Sequence, residues 1–321
     1  MTTIALALAV VKVGVIGLDT SHAIAFTKAM NVDKDPGVAG LRVVAAYQWG
    51  SRDIVSATNR YPKYIAQMKE MGVEIVPTID DLLTKVDCVC LETNDGREHL
   101  WQAERVFKAG KPCFIDKPLA HDLHDALKIH ELGKKYNAKY FSSSTLRFSS
   151  VIDEVASGKR GDVTGMVYFS PSPVEPQGTH GRYSWYGIHG FEPIEAVMGT
   201  GAESVRAITS GDFDVIVMTW KDGRVAILRA NMCGWSGGYG GHAFIGDSGS
   251  VVLSGNEGYG KLLESIATFF KTGVSPVPHE QTLEVFALME AAEMSAKHGG
   301  EKVTLAEAIE RCADRPFWKI W

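Results

Sequence analysis

The chain has no lysine- or arginine-rich block, no cysteine pair at a metal or redox spacing, no long apolar run and no internal repeat. Lys and Arg number 33 against 38 Asp and Glu, a net charge of −5. Without a basic patch, nucleic acid is not an expected partner. The five cysteines (Cys88, Cys90, Cys113, Cys233, Cys312) are scattered and odd in number. Cys88-x-Cys90 lacks the two-residue spacer of a redox or zinc pair. Cys88, Cys90 and Cys113 lie in apolar, strand-like runs, which suits reduced core thiols and a reducing compartment. The apolar start, Met1 to Val11, has no basic segment and is too short to span a bilayer. The expectation is a cytoplasmic protein with no membrane partner.

At 321 residues the chain is long enough for two domains with separate cores. Its 45% hydrophobic and 22% charged residues are ordinary for a globular protein. From Val11 to about Ser144, strand and helix patterns alternate. Strands are expected at Val11–Ile16, Arg42–Tyr47, Val73–Val76, Val86–Leu91, Cys113–Asp116 and Lys139–Ser143. Between them lie helices at Ser21–Met30, Asp53–Met71, Ile79–Lys85, around Leu100–Phe107, and after an Asp122 cap to Lys135. Repeated βα units predict a parallel, doubly wound sheet. From Phe148 the pattern changes to meander-like strands at Gly165–Phe169, Ser204–Thr209, Asp214–Trp220 and Arg224–Met232. Turns follow at Lys221-Asp222-Gly223 and Asp247-Ser248-Gly249, and the end is helical. The fold class is therefore α/β: an N-terminal doubly wound parallel sheet over residues 1–145, and a C-terminal α+β domain with an open, mostly antiparallel sheet over 146–321.

Chemistry-bearing residues cluster at a few turns. Phe114-Ile115-Asp116-Lys117-Pro118 is a buried strand stopping at a tight exit, because proline fixes φ and biases Lys117 away from helical geometry. Lys117 then stands beside a carboxylate at the carboxyl edge of a sheet, where α/β folds bind ligands. Gly17-Leu18-Asp19-Thr20-Ser21-His22 occupies the place of a G-x-G-x-x-G phosphate turn. Only the first glycine is kept; Asp19 replaces the second and His22 the third. Either Asp19 points away and caps the helix with Thr20 and Ser21, leaving N–H groups for a dinucleotide, or the site is altered. Gln48 stands where an acid would bind a ribose 2′-OH. Ser51 and Arg52 follow, chemistry for a 2′-phosphate, which leans towards NADP over NAD unless Arg52 is simply solvated. Gly178–Pro193 crowds His180, His189, Arg182 and the rings of Tyr183, Trp185, Tyr186 and Phe191 into one loop and helix start. Rings stack on sugar faces and histidine moves protons near neutral pH. Nothing sets three of His180, His189, Glu192 and His242 at a ligand spacing, so no metal is read. The glycine-rich Gly234–His242 joins strands, and suits a lip over a pocket or an oligomer contact.

Asp116-Lys117-Pro118-Leu119-Ala120 resembles the Glu-Lys-Pro-Leu-Ala signature of the Gfo/Idh/MocA oxidoreductases. That resemblance implies a Rossmann domain (dinucleotide-binding) joined to an open-sheet domain, NAD or NADP as cofactor, and a sugar or polyol as substrate. It implies that Lys117 contacts both substrate and cofactor. The Thr93-Asn94-Asp95-Gly96 loop stands at the family's Thr-Pro-Asn loop, and His99 matches the histidine that follows it. Asp116, Gly17, Asp19, Thr20, Ser21, Gln48, Ser51 and Arg52 fall at the other cofactor positions. Arg147-Phe148 resembles the family's arginine–aromatic pair; Arg147 anchors a ligand or braces the domains. His189 and Glu192 match the catalytic histidine and the acid three residues on, although Trp185 replaces an aspartate. Trp185 and Tyr186 join Lys117, Arg147 and His189 as substrate-binding candidates. The implied reaction is hydride transfer, with Lys117 and His189 polarising and deprotonating a hydroxyl. Alternatives are a sugar lyase or glycosidase with tightly bound NAD(H), or a non-catalytic cofactor-binding protein. By analogy, a homodimer or homotetramer is expected.

Overall fold

A computed structural model describes residues 10–234, 237–246 and 249–313. Met1 to Ala9, Trp235 and Ser236 of the glycine-rich stretch, and Asp247-Ser248 of the expected turn lie outside the described residues. Two compact units interleave along the chain. The first comprises the residues up to Asp116, Leu132–Phe141 and Leu263–Pro276; the second comprises Lys117–Glu131, Ser142–Leu262 and Val277 onward.

The first sheet contains β1 (Val11–Ile16), β2 (Leu41–Tyr47), β3 (Glu74–Val76), β4 (Cys88–Leu91), β5 (Cys113–Asp116) and β6 (Tyr140–Ser143). Its order is β3-β2-β1-β4-β5-β6. The β1–β2, β1–β4, β2–β3 and β4–β5 pairs are all parallel. The order reverses between β1 and β4, the crevice where open α/β sheets bind ligands. The connecting helices are α1 (Ser21–Lys28), α2 (Val55–Thr58), α3 (Tyr61–Glu70), α4 (Ile79–Leu83), α5 (Gly96–Lys108) and α6 (Leu123–Lys135). The single helix expected over Asp53–Met71 is two, α2 and α3. Pro62 sits in the first turn of α3, where its missing N–H cannot continue the ladder from α2.

β-Strands buried on both faces need apolar runs, and Val13, Val15, Ile16, Val89, Cys90 and Phe114 are each at most 1% exposed. Ring pairs extend this core from Phe26 to Phe114, from Phe114 to Phe141 and from Phe141 to Phe269. Phe269 belongs to a later helix (Gly260–Thr272), most of which packs within this first unit.

Beyond Lys117–Glu131, which carries the start of α6, the second unit contains α7 (Ser150–Ala156), β7 (Val163–Pro171) and α8 (Ile188–Met198). The remaining strands are β8 (Ala202–Thr209), β9 (Phe213–Trp220), β10 (Val225–Asn231), β11 (Gly240–Ile245), β12 (Gly249–Ser254) and β13 (Val303–Thr304). Sheet order is β12-β11-β7-β10-β9-β8-β13. β10 and β7 run parallel, and the other pairs are antiparallel. β9 alternates half-buried and buried residues along its length, the period of two expected when one face meets a core. The helix that carries Phe269 is α9; α10 (His279–Lys297) and α11 (Leu305–Ala313) complete the unit. Gly240, Gly241 and His242, read as part of a strand-joining loop, lie within β11. A Cβ on Gly241 would sit 2.0 Å from the Val167 carbonyl oxygen, so only glycine lets β11 close on β7 there. No helix among the described residues is long and apolar enough to cross a membrane.

Candidate active site

In the first unit, β1 runs into the Gly17 turn at the crevice. Gly17 has φ of 89°, and a Cβ there would lie 2.5 Å from Thr93 Oγ1. Glycine is thus required by backbone conformation and by the close approach of the β4 exit. Thr20 caps α1, its hydroxyl accepting from the N–H groups of His22 and Ala23. Of the donors at the helix start, Thr20 and Ser21 lie outside this cap.

Asp19 shares no part of that cap. Its carboxylate accepts from Ser51 N–H at Oδ2 and from Asn94 N–H at Oδ1, both at 3.0 Å. The Tyr61 hydroxyl reaches Oδ2 at 3.5 Å, and the side chain is fully buried. One carboxylate therefore ties the exit of β2 to the exit of β4. A Cβ on Gly50 would lie 2.4 Å from Oδ2, so Gly50 makes room for it. Burial pushes the Asp19 pKa up to about 6, against the opposing pull of the Ser51 and Asn94 N–H groups.

The other cofactor candidates occupy the same edge. Gln48 is half-buried and Arg52 is exposed, its guanidinium 5.8 Å from the Trp49 ring. Ser51 is fully buried and its hydroxyl has no hydrogen-bond partner among the described residues. The surface hydroxyl expected beside Arg52 is therefore turned into the core. Thr93 donates from its hydroxyl to Gln102, and its carbonyl is 2.8 Å from His99 Nε2. His99 is fully buried and locks the β4 exit loop from behind. Asp116, at the end of β5, meets His22 with 2.8 Å between Oδ2 and Nδ1. Glu92 joins them: ligand atoms of His22, Glu92 and Asp116 lie within 4.8 Å of one another.

In the second unit, Lys117 follows directly on β5 and is half-buried. Its Nζ stands 5.6 Å from the centre of the Tyr186 ring, within cation–π range. The same ring meets His189 edge-on at 4.4 Å between centroids. Tyr186 donates to or accepts from Tyr239 across 2.9 Å between hydroxyls, and Tyr239's ring lies 5.8 Å from that of His189. His189, in the first turn of α8, has Nδ1 2.8 Å from Ser144 Oγ. Its neighbour Gly190 allows α8 to settle on the sheet: a Cβ there would lie 2.6 Å from Leu228 of β10 and 2.8 Å from Ser170 of β7.

Glu192 lies beneath, accepting from Ser143 Oγ at 2.6 Å and Ser144 N–H at 2.7 Å. It thus holds the segment that presents Ser144 to His189. Burial raises the Glu192 pKa, opposed by Arg147 and these hydrogen bonds. Arg147 bonds to Glu192, Glu195 and Gln281. It is a brace within the second unit. Trp185 is half-buried, its ring 4.8 Å from that of His180.

Ser144, Tyr239 and the His22–Asp116 pair were not singled out in the sequence as partners of these groups. Ser144 lay in an unremarkable serine run, and its histidine is 45 residues further on. Substitution of both His22 and Asp116 at signature positions was the available signal for their pairing.

Residues 11–144 match the family model GFO_IDH_MocA, an oxidoreductase family with an NAD-binding Rossmann fold. No curated protein sequence matches the chain. Among solved structures, a Thermotoga maritima protein described as a probable dehydrogenase has a TM-score of 0.76 at 20% identity, covering 93% of this chain and 100% of its own. The scyllo-inositol dehydrogenase of Lactobacillus casei has a TM-score of 0.71 at 18% identity, with 93% and 99% covered. The myo-inositol dehydrogenase of the same organism, solved with NAD(H) and myo-inositol, has a TM-score of 0.70 at 18% identity, with 92% and 96% covered. These likenesses show a shared fold, and over residues 11–144 the chain matches the NAD-binding Rossmann domain of the GFO_IDH_MocA oxidoreductase family.

Proposed function

We propose that the protein oxidises or reduces a hydroxyl-bearing carbon of a polyol or sugar, with Lys117 and His189 as its acid–base pair. The observation that carries this reading is that Lys117 and His189 both pack on one ring, Tyr186. An amine and an imidazole share that neighbour within a single compact unit.

The residues of the first unit fit a dinucleotide. The N–H groups of Thr20 and Ser21, at the start of α1, lie outside the Thr20 cap and suit a diphosphate. The Asp19 charge is buried between two loop exits and is not presented to that anion. Gln48 and Arg52 would hold the adenosine end through hydrogen bonds and charge. A bound nicotinamide dinucleotide supplies the hydride acceptor.

This chain's own groups handle the proton. With His189 Nδ1–H donating to Ser144 Oγ, Nε2 carries the lone pair and takes the proton of the substrate hydroxyl. Lys117 donates to the same oxygen and stabilises the negative charge that grows on it. Trp185, Tyr186 and Tyr239 offer ring faces to the carbon skeleton of a polyol. Inositol dehydrogenases among the solved structures of this fold support that substrate class.

The test is a fluorescence titration with NADH and NADPH, followed by a screen of inositols and aldoses. Reversible binding with polyol-dependent reduction of the oxidised cofactor is the expected result. Lys117→Met should lower turnover by roughly 10²–10⁴-fold with the fold intact. Unchanged turnover in that variant would defeat the assignment.

A further inference from the structure

Away from Tyr186, the second unit gathers a second set of chemistry-bearing side chains where the chain enters α6. His121-Asp122-Leu123-His124-Asp125 places two histidines and two aspartates at the bend before α6 and in its first turn. His121 Nδ1 lies 3.1 Å from Asp125 Oδ2, and its Nε2 lies 3.6 Å from Asp122 Oδ2. One nitrogen of His121 and one oxygen from each of the two aspartates all fall within 4.8 Å of one another.

Two further observations make this more than a surface cluster. His121 and Asp122 line a cavity of about 180 Å³ whose opposite wall is α10, with Glu290 and Glu293. Lys297 in that wall is paired with Glu293 at 2.8 Å, so the lining keeps an excess of negative charge. His124 is buried, and its Nδ1 lies 3.1 Å from Asp125 Oδ1. That bond orients Asp125 so that Oδ2 faces His121. An outer histidine holding an inner carboxylate is the arrangement that supports metal ligands.

We propose that His121, Asp122 and Asp125 form a binding site for a divalent first-row transition ion. Ligands about 2.1 Å from a common tetrahedral ion lie about 3.4 Å apart. The 3.1 Å between His121 Nδ1 and Asp125 Oδ2 is close to that value, and the three ligand atoms together fall within 4.8 Å. One imidazole with two carboxylates suits Zn²⁺ or Mn²⁺ better than Mg²⁺, which prefers oxygen donors and retained water. The side chains of His121 and Asp122 are 19% and 20% exposed, which gives an ion a route in from the cavity. The site lies outside the acid–base group at Tyr186 and is independent of the reaction proposed there.

The full chain, stripped with EDTA, is titrated calorimetrically with ZnCl₂ and MnCl₂, and loaded with Co²⁺ for visible spectroscopy. One ion per chain is expected. His121→Ala and Asp125→Asn should each weaken binding at least tenfold, and His124→Gln by roughly tenfold through loss of ligand orientation. Co²⁺ should give d–d bands that vanish in His121→Ala. Circular dichroism checks that the variants fold. Should His121→Ala misfold, Asp122→Asn, at the half-exposed cavity wall, carries the same expectation. No heat and no d–d bands in the parent protein would overturn the site, leaving an imidazolium clamped between two carboxylates. Binding of equal strength in the parent and the folded variants would overturn it too, by placing the ion elsewhere.

Discussion

His22 Nδ1 and Asp116 Oδ2 are 2.8 Å apart, and both residues depart from the pattern their positions resemble. Histidine replaces the last small residue of the phosphate turn, and aspartate replaces the longer glutamate before the lysine. The shorter acid and the larger ring complement each other across the ends of β1 and β5. Replacing His22 with glycine restores the usual turn and removes a charge-assisted bond from a buried carboxylate. The expected cost is about 1.5–3 kcal/mol, read as a fall in the urea midpoint. A more stable His22→Gly protein would contradict the pairing.

Asp19 predicts a pH-dependent stability of definite sign. Its folded pKa, about 6, lies above the ordinary aspartate value of 3.8 because burial disfavours the charge. A raised folded pKa contributes stability that is fully present below the unfolded value and is lost as pH rises through the folded one. Between about pH 4 and pH 6 the Asp19 contribution should therefore decline, by roughly 3 kcal/mol at about 1.4 kcal/mol per pKa unit. Asp19→Asn should remove this slope. Urea midpoints of parent and variant at pH 4.5 and 7 would show it, and parallel curves would refute it.

Ser144 supports His189 without touching the substrate in the proposed reaction. Ser144→Ala removes the hydroxyl 2.8 Å from His189 Nδ1, the hydrogen-bond partner that fixes the tautomer the proposed reaction uses. Turnover should fall roughly tenfold, in line with a hydrogen bond of about 1 kcal/mol, while KM stays within about twofold. The pH–rate profile should shift with it. A change confined to KM would assign Ser144 to substrate binding instead.

Arg147 holds two buried acids, Glu192 and Glu195. Burial raises Glu195 to about 7, and Arg147 counters that rise. Arg147→Ala should cost roughly 3–5 kcal/mol, because it leaves buried carboxylates without their cation. The loss should be larger at pH 8, where Glu195 is ionised, than at pH 6, where protonation relieves it. Thermal melts of parent and variant at the two pH values measure this, and a loss that does not grow with pH would count against the brace.

The sequence alone determined the local grammar of the molecule. Apolar runs alternating with amphipathic stretches specified the βα order through Ser144, since strand and helix periodicity need only neighbouring residues. The proline after Lys117 marked the β5 exit, and His189 was legible at the start of α8. Tertiary structure decided what those residues face. Asp19 looked like a cap or an obstacle to phosphate until the exits of β2 and β4 supplied Ser51 and Asn94 N–H groups to bind it. Ser144 gained a role only when α8 brought His189 to it. The helix carrying Phe269 packs with Phe141, and no local pattern records that pairing. Hydrogen bonds and core contacts between residues distant in the chain depend on chain closure, and periodicity carries no information about it.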